Sequence, residues 1–196
     1  MLDNIVPFAL FVIAMTGTPG PGNLTMMAIG QTTGFSSAIS FLAGTATGCV
    51  LLNTLVACGL GELLLSSPVA ALTLRIGGFV YILYLAAKIM FMQLEHKKAV
   101  KRFSFVEGFF IHPLSPKSWA MAVVSFSQFM KPEQPLLSQI VVFVVIFLCG
   151  LLVFHSSWCA AGAFIPRLIR SGRILFFINC SMVTLMIGAT AWAMFS

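Results

Sequence analysis

Two short stretches of this sequence combine helix-breaking prolines with groups that could bind a charged solute. The first, TPGPGNLT, covers 18–25, and the second, HPLSPK, covers 112–117. Proline lacks an N–H donor and clashes with the preceding helical turn, so each stretch should interrupt a helix. The helix ends at an interruption expose N–H groups, which attract a carboxylate, and carbonyl groups, which attract an ammonium or another cation. Together these groups match a zwitterion such as an amino acid.

Two ionisable side chains extend this chemistry. Lys117 follows Pro116, on the first turn of the helix that would begin there, and His155 lies in the apolar run VFHSSWC. An ionisable residue at membrane depth is costly and usually functional. Lys117 and His155 are therefore candidates for proton coupling, and Lys117 is also a candidate for binding an anion. Each has a structural alternative: Lys117 could extend its ammonium to the membrane surface, and His155 could be a hydrogen-bonded packing residue.

The composition indicates that these residues belong to a membrane protein. Of the 196 residues, 59% are hydrophobic and 8% are charged, and the mean hydropathy is +1.03. A soluble domain carries about 25% charged residues. No charged residue occurs between Asp3 and Glu62, which leaves room for two membrane crossings of about 20 residues each. The predicted class is an all-α polytopic membrane protein.

The apolar runs predict six transmembrane segments, of which the first and the fourth contain the proline breaks. Their approximate ranges are 4–30, 38–61, 69–92, 104–130, 136–165 and 174–195. The N-terminus lacks the basic region of a signal peptide, so the first segment is expected to be retained. The intramembrane polar residues Asn53, Thr54 and Asn179 are expected to form hydrogen bonds between helices.

Basic residues concentrate in two connections, and this distribution predicts the orientation. They are Lys97, Lys98, Lys101 and Arg102 after the third segment, and Arg167, Arg170 and Arg173 after the fifth. Because cytoplasmic loops are enriched in Lys and Arg, both connections are expected in the cytoplasm and both termini outside. The net charge of +6 is explained by this topology, and no nucleic-acid partner is expected.

The spacing of the breaks predicts two inverted repeats. Pro19 and Pro21 have counterparts 94 and 95 residues later in Pro113 and Pro116, and each pair lies in the first segment of a group of three. An odd number of spans per repeat inverts the second half, which would bring both breaks toward the middle of the bilayer. The repeats would cover about 1–95 and 96–196 of a single domain. The alternative is that each break is a proline kink that serves packing alone.

Several blocks of sequence resemble one family of membrane proteins over nearly the whole chain. They are TPGPGNL, GTATGCVL, GGFVYILYLAAKIM, FVEGFFIHPLSPKSWAM and FSQFM, in this order. With these blocks the chain resembles the LysE superfamily of bacterial amino-acid exporters, specifically its homoserine/threonine-resistance (RhtB-type) branch. The resemblance implies a multi-pass protein of the cytoplasmic (inner) membrane that exports amino acids or close derivatives. It also implies proton antiport and frequent homo-oligomers.

The resemblance carries functional positions onto this sequence at Pro19, Gly20, Pro21, Asn23, Pro116 and Lys117. With Thr25 and Ser115, which lie in the same breaks, the predicted substrate-binding residues are Pro19, Gly20, Pro21, Asn23, Thr25, Ser115, Pro116 and Lys117. The substrate carboxylate would contact a half-helix N-terminus and Lys117. The ammonium would face carbonyl groups at the first break, near Asn23 and Thr25. This site departs from the family pattern at two positions. The family commonly has asparagine directly after the second proline of the first break, whereas here Gly22 lies between Pro21 and Asn23. In the second break, Ser115 replaces the asparagine that commonly precedes the proline and lysine found here as Pro116 and Lys117.

Two other classes of function are alternatives to transport. An intramembrane enzyme needs a nucleophile with a base, or a metal cluster, and His112, His155, Ser156 and Glu107 show no recognisable spacing of that kind. A non-transporting membrane subunit would not need two matched helix breaks. The five cysteines lie in apolar runs without CxxC spacing. No catalytic residue, metal or cofactor is therefore predicted.

Overall fold

The computed structural model describes residues 2–94, 103–131, 135–169 and 171–195, and its regular elements there are helical. The α-helices are α1 (Leu2–Gly17), α2 (Pro21–Thr33), α3 (Ile39–Ala57), α4 (Leu60–Ser66), α5 (Pro68–Leu94), α6 (Phe105–Phe110), α7 (Pro116–Phe129), α8 (Leu136–Leu168) and α9 (Gly172–Phe195). A short 3-10 turn, Phe35–Ala38, leads into α3. The connection 95–102, which holds the first basic cluster, and Arg170 lie outside the described residues, so the predicted orientation stays a prediction.

The helices confirm a multi-pass membrane protein, but they do not confirm six spans. Within the described residues, four stretches are long and apolar enough to cross a membrane: Phe35–Ala57, Pro68–Met92, Leu136–Leu168 and Gly172–Trp192. The pair Ile5–Gly17 and Pro21–Thr33, bent by 54°, makes a fifth if it is one broken span. The predicted fourth segment, 104–130, is interrupted where the prolines predicted a break, since α6 ends at Phe110 and α7 begins at Pro116, and neither helix is among the stretches long enough to cross a membrane alone. The six-span arrangement therefore stays a prediction.

Both proline breaks are real interruptions, and each one ends in the N-terminus of a new helix. α1 ends at Gly17, and α2 begins with Pro21 after its N-cap residue Gly20, whose backbone is extended (φ −149°, ψ 172°). α7 begins with Pro116 after Ser115. Proline is favourable at the first position of a helix because its missing N–H would have no intrahelical acceptor there. The same residues therefore end one helix and start the next.

Glycines bring two pairs of helices into close contact. α2 packs against α8 through Gly30 and Gly162, where an added Cβ would overlap the backbone of the facing helix. α3 packs against α6 in the same way through Gly44 and Gly108. Small residues of this kind allow helix backbones in membranes to approach closely. These two contacts hold the segments that flank the breaks against α8 and α3.

An aromatic cluster fixes the end of α1 that leads away from the first break. Phe8 stacks on Phe143 with ring centroids 5.4 Å apart, and Phe147 lies edge-on to both rings. These side chains are almost fully buried, whereas Leu10 and Ile13 on the same helix are at least half exposed, as expected for side chains that face lipid. The cluster joins α1 to α8.

Candidate substrate-binding site

The two breaks meet at one cavity of about 70 Å³. The first break contributes Thr18, Gly20, Pro21, Gly22 and Asn23; the second contributes His112, Ser115, Lys117 and Ser118; α3 and α8 contribute polar residues that include Asn53 and His155. About 10–15 Å³ suffices for one ordered water, so the cavity has room for several waters or for a small polar solute. Residues that are 95 positions apart in the sequence thus line the same space.

At the first break, the C-terminus of α1 is capped by a side chain from α2. Asn23 Nδ2 donates hydrogen bonds to the carbonyl oxygens of Thr16, at 2.7 Å, and of Thr18, at 2.9 Å. Asn23 is buried, and its Oδ1 has no partner among the described residues. The carbonyl groups expected to face a substrate ammonium therefore already accept bonds from Asn23, and the acceptor without a partner is Asn23 Oδ1.

The N-terminus of α2 has no side-chain cap. Gly20 occupies the N-cap position and offers no side chain. The first intrahelical bond runs from the Leu24 amide to the Gly20 carbonyl, at 2.9 Å, so the Gly22 and Asn23 amides precede it and lack an intrahelical acceptor. Both residues line the cavity. An uncapped helix N-terminus of this kind favours a negatively charged group.

Lys117 reaches from the second break to the first. Its Nζ donates a hydrogen bond to Thr18 Oγ1, at 2.9 Å, and lies 3.8 Å from where a Cβ on Gly20 would be. Lys117 also lines two neighbouring cavities, one with Pro19 and Pro116, and a larger one of about 490 Å³ between α1, α5 and α7 that Arg75 also lines. The ammonium group is thus beside the uncapped end of α2.

The second break, in contrast, satisfies most of its own polar groups, although His112 Nε2 has no partner among the described residues. Ser115 Oγ accepts a hydrogen bond from the Ser118 amide at 3.2 Å, which caps α7. Trp119 Nε1 donates to the Pro113 carbonyl at 2.9 Å. His112 Nδ1 and Ser118 Oγ are 3.1 Å apart. This break therefore leaves fewer free backbone groups, and its main contribution to the cavity is the Lys117 side chain.

Two histidines lie together beside the N-terminus of α2. The rings of His112 and His155 are nearly parallel, with centroids 5.9 Å apart. Neither ring nitrogen of His155 has a partner among the described residues. A Cβ on Gly22 would lie 2.6 Å from His155 Nε2, so the glycine at this position permits the imidazole to approach. The departure at Gly22 thus has a structural consequence.

Not all of the predicted residues line the central cavity, and the sequence analysis missed others. Pro19 and Pro116 line neighbouring cavities, whereas Thr25 is fully buried outside the lining of all three. His112 and Asn53 line the central cavity but were not predicted as binding residues. His112 immediately precedes Pro113 at the break, which was a usable signal for it.

Asn53 and Asn179 differ from the prediction that they bond between helices. Asn53 Nδ2 donates to the Cys49 carbonyl, at 2.9 Å, and Asn179 Nδ2 to the Leu175 carbonyl, at 3.0 Å. Both bonds are made within one helix, to the residue four positions earlier. An isolated apolar run does not reveal this, because the amide can turn back to its own backbone when no partner is available on a facing helix.

The fold and the cavity define a multi-pass helical membrane protein with a small site, lined by both polar and apolar side chains, between broken helices. The model of the family "LysE type translocator" matches residues 13–194, so the chain belongs to the LysE type translocator family. The resemblance is confirmed, and the protein is a transporter rather than an enzyme.

Curated relatives include efflux proteins with two kinds of named substrate. The chain is 30% identical over 171 residues to the cysteine/O-acetylserine efflux protein of Escherichia coli O157:H7, which covers 86% of this chain and 87% of that protein. It is 30% identical over 129 residues to the homoserine/homoserine lactone efflux protein of Salmonella typhimurium (strain LT2), which covers 62% of each chain. No solved structure matches the chain.

Proposed function

We propose that this protein exports a small amino acid or a close derivative across the bacterial cytoplasmic membrane by proton antiport. The observation that carries the proposal is the position of Lys117 Nζ at the first break, bonded to Thr18 Oγ1 and beside the uncapped N-terminus of α2. The family and the efflux relatives support the same direction and class of substrate.

The substrate carboxylate binds between the Lys117 ammonium and the amides of Gly22 and Asn23. These groups supply a full positive charge and the positive end of a helix dipole to one small cavity. The substrate ammonium binds to Asn23 Oδ1, which is buried and has no partner among the described residues. A zwitterion thus satisfies donors and acceptors that would otherwise remain unpaired, each at a cost of about 1–3 kcal/mol.

Proton antiport requires that the proton and the substrate exclude each other from the site. Of the two candidates for proton coupling, His155 has two ring nitrogens without a partner among the described residues, so it can take up a proton while the cavity holds no substrate. Lys117 already donates to Thr18 Oγ1 beside the uncapped end of α2, where a carboxylate would bind. We therefore assign proton exchange to His155, with His112 as the adjacent titratable group, and carboxylate binding to Lys117.

Alternating access follows from the proposed inverted repeats. The first segment packs on α8, and α3 packs on the parts of the fourth segment, while α5 packs on α9. These contacts join the first predicted segment to the fifth, the second to the fourth and the third to the sixth. If segments one to three exchange places with segments four to six in order, the same three contacts result, as two equivalent repeats require. Rocking one group of three against the other would open the cavity to each side in turn, with both breaks near the pivot.

Efflux from proteoliposomes tests the proposal. Vesicles containing the purified protein are loaded with labelled homoserine, cysteine or O-acetylserine, and release is followed with the exterior more acidic, equal or more alkaline. We expect release of at least one of these amino acids, several-fold faster with an acidic exterior. His155→Gln should keep substrate binding but lose the dependence on the pH gradient. Release that never exceeds that of protein-free vesicles would reject the proposal, and gradient-independent release by the wild type would reject antiport.

A further inference from the structure

One polar residue of the central cavity has no role in binding the carboxylate or the ammonium. Asn53, on α3, is 2% exposed and lines the cavity. Its Nδ2 donates to the Cys49 carbonyl at 2.9 Å and lies 3.2 Å from Cys49 Sγ. Its Oδ1 is buried without a hydrogen-bond partner among the described residues. The amide orientation is fixed by these donations, so the remaining functional atom is an acceptor.

The surroundings of Asn53 define what could meet that acceptor. The lining of the same cavity includes the apolar side chains Leu52, Met121, Phe147 and Leu151. A buried carbonyl oxygen that lacks a donor is unfavourable, and a ligand that donates a hydrogen bond to it would remove this cost. The α-carboxylate is an acceptor and cannot do so.

We propose that Asn53 Oδ1 accepts a hydrogen bond from a donor on the substrate side chain, so that the transporter selects amino acids whose side chain ends in a hydroxyl or a thiol. This inference rests on the proposed function, because it places the carboxylate at Lys117 and the ammonium at Asn23. The apolar wall encloses the methylene groups, and Asn53 recognises the terminal group. Asn53 is thus a specificity-determining residue.

A pair of substrates of equal size measures this contact directly. Homoserine and norvaline both have unbranched side chains of three heavy atoms, and they differ in a terminal hydroxyl against a terminal methyl. A site built to bond a hydroxyl rejects the analogue that leaves its acceptor unpaired. We expect the wild type to transport homoserine about 10- to 100-fold more efficiently than norvaline, as kcat/KM.

The Asn53→Leu variant should abolish this selectivity. Leucine has the same number and branching of side-chain heavy atoms as asparagine and has no acceptor, so the homoserine-to-norvaline ratio should fall at least tenfold. The ratio is measured in one preparation and does not depend on the fraction of protein that is active. Asn53→Ala provides a second variant in case the leucine variant does not fold.

Asn179 offers a matched control. It is also fully buried, donates Nδ2 to the carbonyl four residues earlier and has an Oδ1 without a partner among the described residues, but it lies on α9, outside the lining of the central cavity. Asn179→Leu should leave the ratio unchanged.

The outcomes separate this inference from the proposed function. If the wild type transports homoserine and norvaline equally, or if both Asn53 variants keep the wild-type ratio, the inference is wrong although transport stands. An equal loss of both substrates in the Asn53 variants would instead place the common ammonium at Asn53, and would also overturn it. If the wild type transports no amino acid, the proposed function itself fails.

Discussion

The two breaks use the same helix-start positions for different purposes. Gly20 and Ser115 are the N-cap residues, Pro21 and Pro116 follow them, and Gly22 and Lys117 occupy the next position. Each pair is 95 residues apart. In the first break both variable positions are glycines, which leave the amides of α2 open. In the second break the serine closes the helix end, and the lysine extends to the first break.

This difference explains how one site can be built from two similar sequences. A cation at a helix N-terminus is disfavoured by the dipole of its own helix. Lys117 avoids part of this cost because its side chain extends away from α7, to Thr18. The result is that one break supplies the exposed helix end and the other supplies the charge. The proposed repeats are thus asymmetric at the position where they meet.

Replacing Lys117, the charge that the second break supplies to the first, should have the largest effect on transport. We expect Lys117→Gln to lower transport by about 100-fold or more, because removing one partner of a buried charge contact typically costs 2–5 kcal/mol. Initial rates of labelled amino-acid efflux from proteoliposomes measure this effect.

Lys131→Gln is the matched control for that variant. Lys131 lies outside the cavities described above, and its backbone contacts Gln139, so its replacement should leave the rate near that of the wild type. A Lys117→Gln protein that elutes as the wild type does in gel filtration and transports at the wild-type rate would remove the lysine from the mechanism.

Part of this arrangement could be predicted from the sequence because its causes are local. Each break combines two prolines a few residues apart, so both breaks and the position of Lys117 at a helix start followed from neighbouring residues, although single prolines such as Pro7 and Pro166 lie inside helices. The contributions of Asn53 and His112 could not be predicted in the same way, because they depend on how α3 and the second break pack around the cavity. Thr25 is fully buried outside the lining of this cavity, and its contact with a substrate stays a prediction.

The predicted spans show the same limit. The proline break inside the fourth segment was predicted, but the apolar run of the second segment was extended past Gly59, where a positive φ of 88° separates α3 from α4. A window of apolar residues does not register a break at a single glycine. The number of helices could therefore be determined only from the backbone geometry, whereas hydropathy was enough to predict that this is a membrane protein.

The second prediction concerns Gly22, the first-break counterpart of Lys117. We expect Gly22→Ala to lower transport by roughly tenfold, because the added Cβ would lie 2.6 Å from His155 Nε2 and would displace the imidazole. The dependence of efflux on the pH gradient should weaken at the same time. Both quantities are measured in the vesicle assay described above.

Gly77→Ala serves as the control, because a Cβ on Gly77 meets nothing within 4 Å. That variant should transport normally. If Gly22→Ala retains both the wild-type rate and the wild-type response to the gradient, His155 has no role that depends on its closeness to α2.

The smallest expected effect comes from giving the first break the cap of the second. Gly20→Ser fits the extended backbone of residue 20, and its Cβ would make only ordinary contacts, the nearest being Lys117 Nζ at 3.8 Å. A serine at the N-cap accepts a bond from an amide of the first helical turn, so it would compete with the substrate carboxylate for the same donors. We expect KM to rise about three- to tenfold, while the free energy of unfolding changes by only a few tenths of a kcal/mol.

Gly172→Ser, at the start of α9 and with no neighbour within 4 Å, is the control for the added hydroxyl. An unchanged KM in Gly20→Ser would mean that the carboxylate does not use the amides of α2, and the difference between the two breaks would then concern helix stability alone.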